Sequence, residues 1–289
     1  SGPLFTLPII GDFYWTNTLT AMLIADILLI IIAIIVRRAA MSGELIPKGF
    51  SGAFEAIVEA IYNLTESTAG KWAAKIFPFF ATLFLLVLIV NWTELIPGVD
   101  TIGFLEEAEQ HGNPVEQVIP GIYTIVKPEG DAEHGEDADE HGFTLIPFVR
   151  TLSTDLNFTL ALALVSVTMT QVFGVQSLGF DYFSKFINIK GFSKNPVFGG
   201  IDFFVGLLEL ISEFSKIISF SFRLFGNIFA GTVLLFVIGS LLPVIVPSIF
   251  LMLEFFVGVI QALVFGMLTM VFMSMAVAGH GDHGEETAH

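Results

Sequence analysis

The chain has 289 residues, 54% of them hydrophobic and only 14% charged, where soluble domains carry roughly a quarter of charged residues; this excludes a soluble enzyme. The net charge of −16 is local, because 11 of the 28 acidic residues fall between Glu106 and Glu140, and with few basic residues and no clustered basic face nucleic-acid binding has no electrostatic footprint. The absence of cysteine excludes disulfides, thiolate metal sites and a cysteine nucleophile.

Residues 1–17 are expected to form an outer N-terminal segment. The chain starts at Ser1 with no charged stretch before an apolar core, so a leader peptide is expected to have been removed or never present. Residues 18–38 predict a first spanning helix, apolar apart from Asp26 and stopped by Arg37-Arg38, which suit a headgroup region. In 50–75 the residues Phe50, Phe54, Ile57, Val58, Ile61 and Leu64 recur at helical spacing with Glu55 and Glu59 on another face, which predicts an amphipathic helix on the inner surface. A second span follows at 76–97, with Pro78 in its first turn and Pro97-Gly98 closing it. Asn91 and Glu94 lie near its far end.

The composition then turns to Gly, Pro, His and acid, and 98–150 reads as an acidic extramembrane loop. Its His111, His134 and His141, like His280, His283 and His289 of the tail, lie in polar segments without ligand geometry, so no metal site is expected. A third span is predicted at 153–177, followed by an inner basic loop at 178–199. Residues 200–240 then supply about 60 Å of helix, twice the roughly 30 Å of a hydrocarbon core. After Pro243 and Pro247, residues 248–278 supply about 46 Å more, and 279–289 form an inner tail. The fold class is therefore an all-α membrane protein with five membrane-embedded helices and an amphipathic surface helix, the last two helices forming a long, strongly tilted hairpin.

Arg37, Arg38, Lys48, Lys71, Lys75, Lys185, Lys190 and Lys194 fall on one side of these spans, and Lys127 and Arg150 on the other. By the positive-inside rule the amino terminus lies outside and the carboxyl terminus inside.

Charged side chains within a span cost about 2.5 to 3.5 kcal/mol on insertion scales, so each needs a partner, water or a purpose. On the first long helix Glu209, Glu213, Lys216, Ser219, Arg223 and Asn227 advance by three or four residues along one stripe. On the last helix Glu254 and Gln261 are seven apart, and Gly258, Ala262 and Gly266 form a row of small residues suited to close helix packing. An internal salt bridge from Arg223 to Glu209, Glu213 or Glu254 is one reading. The other is functional: arginine stays protonated and cannot relay protons, but it can form a fixed positive barrier, with the titratable Glu209 on the inner side and Glu254 on the outer.

The segment Ser221-Phe222-Arg223-Leu224-Phe225-Gly226-Asn227 resembles the most distinctive motif of subunit a of F-type ATP synthases. Asn91-Trp92-Thr93-Glu94-Leu95-Ile96-Pro97, Asp155-Leu156-Asn157-Phe158-Thr159 and Gln261-Ala262 support the resemblance, which extends over most of the chain beyond Val36 except the acidic loop. It implies a stator subunit in a bacterial plasma membrane, set against a ring of c subunits and accompanied by b-type peripheral stalk subunits and the remaining synthase subunits. It also implies an outer half-channel involving Asn227, Glu254 and Gln261, an inner one involving Glu209, Ser212, Lys216 and Ser219, and Arg223 as the essential arginine between them.

Asn91, Glu94, Asp155, Asn157 and Thr232 are weaker outer candidates, with helix-end contacts as the alternative. Many bacterial members carry Glu a few residues after the Gly-Asn pair and His on the last helix, where this chain has Thr232 and Glu254. No phosphate loop or His-Glu-x-x-His motif occurs, so neither catalysis nor a cofactor is expected. A stand-alone transporter or a purely structural assembly subunit are the competing classes.

Overall fold

A computed structural model describes residues 5–7, 11–13, 16–41, 50–96, 102–107, 115–119, 122–125, 143–148, 150–179, 182–183, 186, 196–241 and 245–278. Its long elements are all α-helical, and five stretches are long and apolar enough to cross a membrane: 17–35, 55–94, 156–178, 203–240 and 246–278. The protein is an all-α membrane protein. The histidines of the acidic segment and of the tail lie outside the described residues, as does Pro243.

The chain divides into two compact units, one of residues 1–23 and 96–151, the other of residues 24–95 and 152–289. The first holds antiparallel two-stranded ribbons: β1 (Phe5–Leu7) with β2 (Gly11–Phe13), β3 (Gly103–Glu107) with β6 (Phe143–Pro147), and β4 (Val115–Ile119) with β5 (Ile122–Ile125). The segment expected to be a plain loop thus contains four short strands. The β3–β6 register pairs Phe104 with Ile146, and Phe104 meets Phe148 edge-on at 4.5 Å. Aromatic and β-branched side chains on one face of a pleat favour this pairing, a signal that the surrounding acidic composition masks. Helix α1 (Asn17–Met41) runs from this unit into the second.

The second unit is built on α2 (Phe50–Ala69), α3 (Ala73–Glu94), α4 (Leu156–Leu178), α5 (Pro196–Leu241) and α6 (Ile245–Ala278). The stretch expected as one helix over 50–75 is divided at Gly70, whose φ of +51° starts a 3-10 turn and suits a residue without a Cβ. On α2, Ile61, Thr65 and Ala69 recur every four residues and are buried, while Glu55, Glu59 and Glu66 are exposed. Tyr62 meets Phe77 of α3 edge-on at 5.1 Å.

Because α3 starts at Ala73, Pro78 lies inside the helix rather than in its first turn. It removes one backbone donor there, and its own carbonyl accepts the Thr82 hydroxyl at 2.7 Å. Pro247, by contrast, sits in the first turn of α6, where a missing N–H costs nothing.

Helix α6 is the central element, packed on α3, α4 and α5. Its small-residue row does what small residues do in lipid, letting backbones approach: a Cβ on Gly266 would come within 2.6 Å of the Phe80 ring, and one on Gly258 within 3.2 Å of Asn91 Cβ. Phe80, Ala262, Phe265, Met270 and Met273 are fully buried around this seam. Short hydroxyl contacts add to it, Ser166 with Thr269 at 2.7 Å and Ser177 donating to the Val277 carbonyl at 2.9 Å. Such interhelical bonds contribute on average about 0.6 kcal/mol each.

Candidate functional site

With 46 residues, α5 is about 69 Å long, more than twice the hydrocarbon thickness. One side of it is buried against α4 and α6 along Glu213, Phe220, Leu224, Ile228 and Gly231, whereas Phe214, Ile218, Phe222 and Phe229 are exposed. The polar stripe runs beside that buried line. Contacts with α6 fix how the two helices are matched. Lys216 faces Phe272, Phe220 faces Phe265, and Gly231 faces Glu254, so higher numbers on α5 meet lower numbers on α6. The last two pairs share one register, which sets Leu224 level with Gln261 and Asn227 level with Gly258.

Arg223 is half-buried at this middle level, and its Nη1 atom is buried with no hydrogen-bond partner. Among the described residues the guanidinium forms no ion pair. The internal salt bridge to Glu209, Glu213 or Glu254 considered from the sequence is absent, and Glu213 is paired with Lys216 instead, at 2.9 Å.

Towards the Glu254 end, three helices bring polar groups together. Asn227 is half-buried, Gln261 is buried, and Asn227 Nδ2, Gln261 Nε2 and Glu254 Oε1 are buried atoms without a hydrogen-bond partner. The Glu254 carboxylate lies directly over Gly231. Thr232 donates to Glu94 Oε1 of α3 at 2.6 Å and also approaches its own Ile228 carbonyl at 2.9 Å. Asn91, buried, donates to the Gly258 carbonyl at 3.2 Å and accepts from Ser153 at 3.4 Å. Trp92 stacks on Phe255 at 4.8 Å beside them. The arrangement offers carboxylates, amides and a hydroxyl in one partly dry region, the inventory needed to pass a cation or proton between titratable groups.

Asp155 and Asn157 stand apart in kind. Asp155 is the N-cap of α4, its side chain accepting from the Asn157 backbone N–H at 2.9 Å, and the Asn157 side chain is exposed. This satisfies one of the orphan donors at a helix start.

Towards the other end of α5, Glu209 is half-buried, Ser212 and Ser219 are exposed, and Lys216 pairs with Glu213 while its ammonium sits 4.6 Å from the centre of the Phe272 ring. Among the described residues no cluster of three or more His, Asp or Glu side chains could hold a metal ion.

Two residues of this region, Gly231 and Ser153, carried no assignment from the sequence, which placed Glu213 on the stripe and weighed it only as a partner of Arg223. Gly231 extends the Arg223 stripe one further step of four beyond Asn227, so helical spacing marked its face without marking its contact. Ser153 lies in a 3-10 turn, Leu152–Thr154, with no sequence signal for its approach to Asn91.

Comparison with known proteins covers nearly the whole chain. The sequence matches the ATP synthase A chain family over residues 19–274. It is 29% identical over 268 residues to a protein of Propionigenium modestum named ATP synthase subunit a, sodium ion specific, which covers 92% of this chain and 76% of that one. It is 27% identical over 272 residues to ATP synthase subunit a of Mycobacterium bovis and of Mycobacterium tuberculosis, in each case over 93% of this chain and 89% of the relative.

Proposed function

The chain belongs to the ATP synthase A chain family, and on that premise we propose that it is the stator channel of the rotary membrane sector, built as two offset half-channels that load and unload carboxylates on a ring of c subunits. Protons enter an outer half-channel formed by Asn227, Glu254 and Gln261, with Asn91, Glu94 and Thr232 behind them and Asp155 and Asn157 at its edge. They travel with the ring and leave through an inner half-channel past Glu209, Ser212, Lys216 and Ser219. Arg223 stands between. Its permanent positive charge repels a cation crossing directly and favours the ionised form of a passing ring carboxylate, so transport requires rotation. The membrane potential contributes about 2.3 kcal/mol per elementary charge per 100 mV to this work.

The chain's part is non-enzymatic. In this reading α5 and α6 lie as a tilted hairpin along the ring and α2 rests on the inner membrane surface. The amino terminus faces outward and the carboxyl terminus the cytoplasm of a bacterial plasma membrane, beside b-type stalk subunits.

The observation that carries the reading is the state of Arg223, whose Nη1 is buried without a hydrogen-bond partner and which forms no ion pair among the described residues. A cation at that depth costs about 2.5 to 3.5 kcal/mol on insertion scales, so its counter-charge is expected from a neighbouring chain. The test is Arg223→Ala in the purified, reconstituted synthase: the complex assembles and proton-driven ATP synthesis is lost. Arg223→Lys does not restore normal coupling, because lysine lacks the planar, permanently charged head. Normal synthesis in either variant contradicts the reading.

A further inference from the structure

Helix α5 carries two basic residues, Lys216 and Arg223, seven positions and so about 10 Å apart along the axis. Their surroundings differ. Arg223 has no counter-ion among the described residues, whereas Lys216 Nζ lies 2.9 Å from Glu213 Oε1, with only 9% of the Glu213 side chain and 19% of the Lys216 side chain exposed. The ammonium also rests 4.6 Å from the centre of the Phe272 ring of α6, on the buried side of α5. The charged and titratable neighbours are few. Helix α4 has none, α6 has only Glu254, at its far end, and on α5 the nearest beyond Glu213 are Glu209 and Arg223, each seven positions away.

We infer that Glu213 is a positioning residue of the ion path: it neutralises Lys216 and holds it against Phe272, so that the positive barrier in α5 is confined to Arg223. The inference rests on the reading of the Glu209 end as the exit half-channel. Without Glu213, a second uncompensated cation would stand on that exit. At about 10 Å and an effective dielectric of about 20, one unit charge changes an ion-transfer equilibrium roughly tenfold. Such a charge would oppose the arrival of protons released from the ring, and it would widen the barrier that Arg223 keeps narrow.

Charge and shape make opposite predictions here, which allows a decisive test in the intact reconstituted synthase. Glu213→Gln keeps the shape and removes the charge; Glu213→Asp keeps the charge and shortens the arm. The expected result is that Glu213→Gln lowers proton-driven synthesis about tenfold while Glu213→Asp stays within about twofold of the parent, both complexes assembling normally. The exchanged pair Glu213→Lys with Lys216→Glu recovers at least half of the loss, because the pair is neutral again. A parental rate in Glu213→Gln, or an Asp variant impaired as much as the Gln variant, overturns the inference. Glu209→Gln, measured alongside, separates the two claims. If Glu209→Gln slows transport and Glu213→Gln does not, the positioning role fails and the exit path stands; if neither slows it, the exit path itself is wrong.

Discussion

The Glu254 carboxylate of α6 lies against Gly231 of α5 so closely that a Cβ at position 231 would stand 2.6 Å from Oε1 and 2.7 Å from Oε2. The contact joins the two long helices at the polar end of the site, and it makes the absence of a side chain on α5 a condition for where the acid sits.

Gly231→Ala therefore displaces the carboxylate rather than the backbone, since the Glu254 side chain is the flexible partner. An off-rotamer shift costs about 0.5 to 1.5 kcal/mol, so transport by the assembled complex is expected to fall roughly two- to tenfold. Gly231→Val should cost more. Equal, parental rates in both would show that the position of Glu254 is immaterial.

Glu254→Gln preserves size but carries no titrating proton. Loss of a positioned acid–base group typically costs 10²-fold or more, and the expected outcome is slow transport whose dependence on outer pH differs in form from that of the parent. An unchanged pH profile removes Glu254 from the relay.

Thr232 links α5 to α3 through its 2.6 Å bond to Glu94. Thr232→Ser retains the hydroxyl and is expected to transport at close to the parental rate, whereas Thr232→Val loses the bond and slows transport a few-fold, in line with about 1 kcal/mol for a hydrogen bond. Steady-state pumping in vesicles distinguishes them; identical rates in the two variants would leave the bond without a role.

Packing at the α3–α6 seam is tested by Gly266→Ala. The new Cβ meets the Phe80 ring at 2.6 Å, and Phe80 is fully buried, so the overpacking should destabilise the helix bundle by about 1 to 3 kcal/mol. Gly200, with nothing within 4 Å of a Cβ, is the matched control, and its Ala variant should unfold in detergent like the parent.

Much of this was legible in the residues. The helices of the membrane region follow from apolar runs with basic or proline punctuation, and the stripe through Arg223 follows from helical spacing alone. Helix ends were less legible, because Pro78 lies inside α3 and Gly70 splits α2 from it, and both depend on what packs alongside. Pairings were least legible. Periodicity set Glu213 and Arg223 on one stripe, but it could not say that Glu213 takes Lys216 and leaves Arg223 alone, since i,i+3 and i,i+4 partners are equally near on a bare helix. The contacts of Asn91 with Ser153 and Gly258 join residues far apart in sequence, and no local pattern announces them.

The claim that Arg223 is a gate is tested most directly by passive proton flux through the membrane sector with its rotor cross-linked in place. With Arg223 present, vesicles holding the locked complex should retain an imposed proton gradient. With Arg223→Ala in the same locked complex, the account predicts a leak through the two half-channels; a gradient that persists in the variant, or one that collapses equally in the parent, would contradict it.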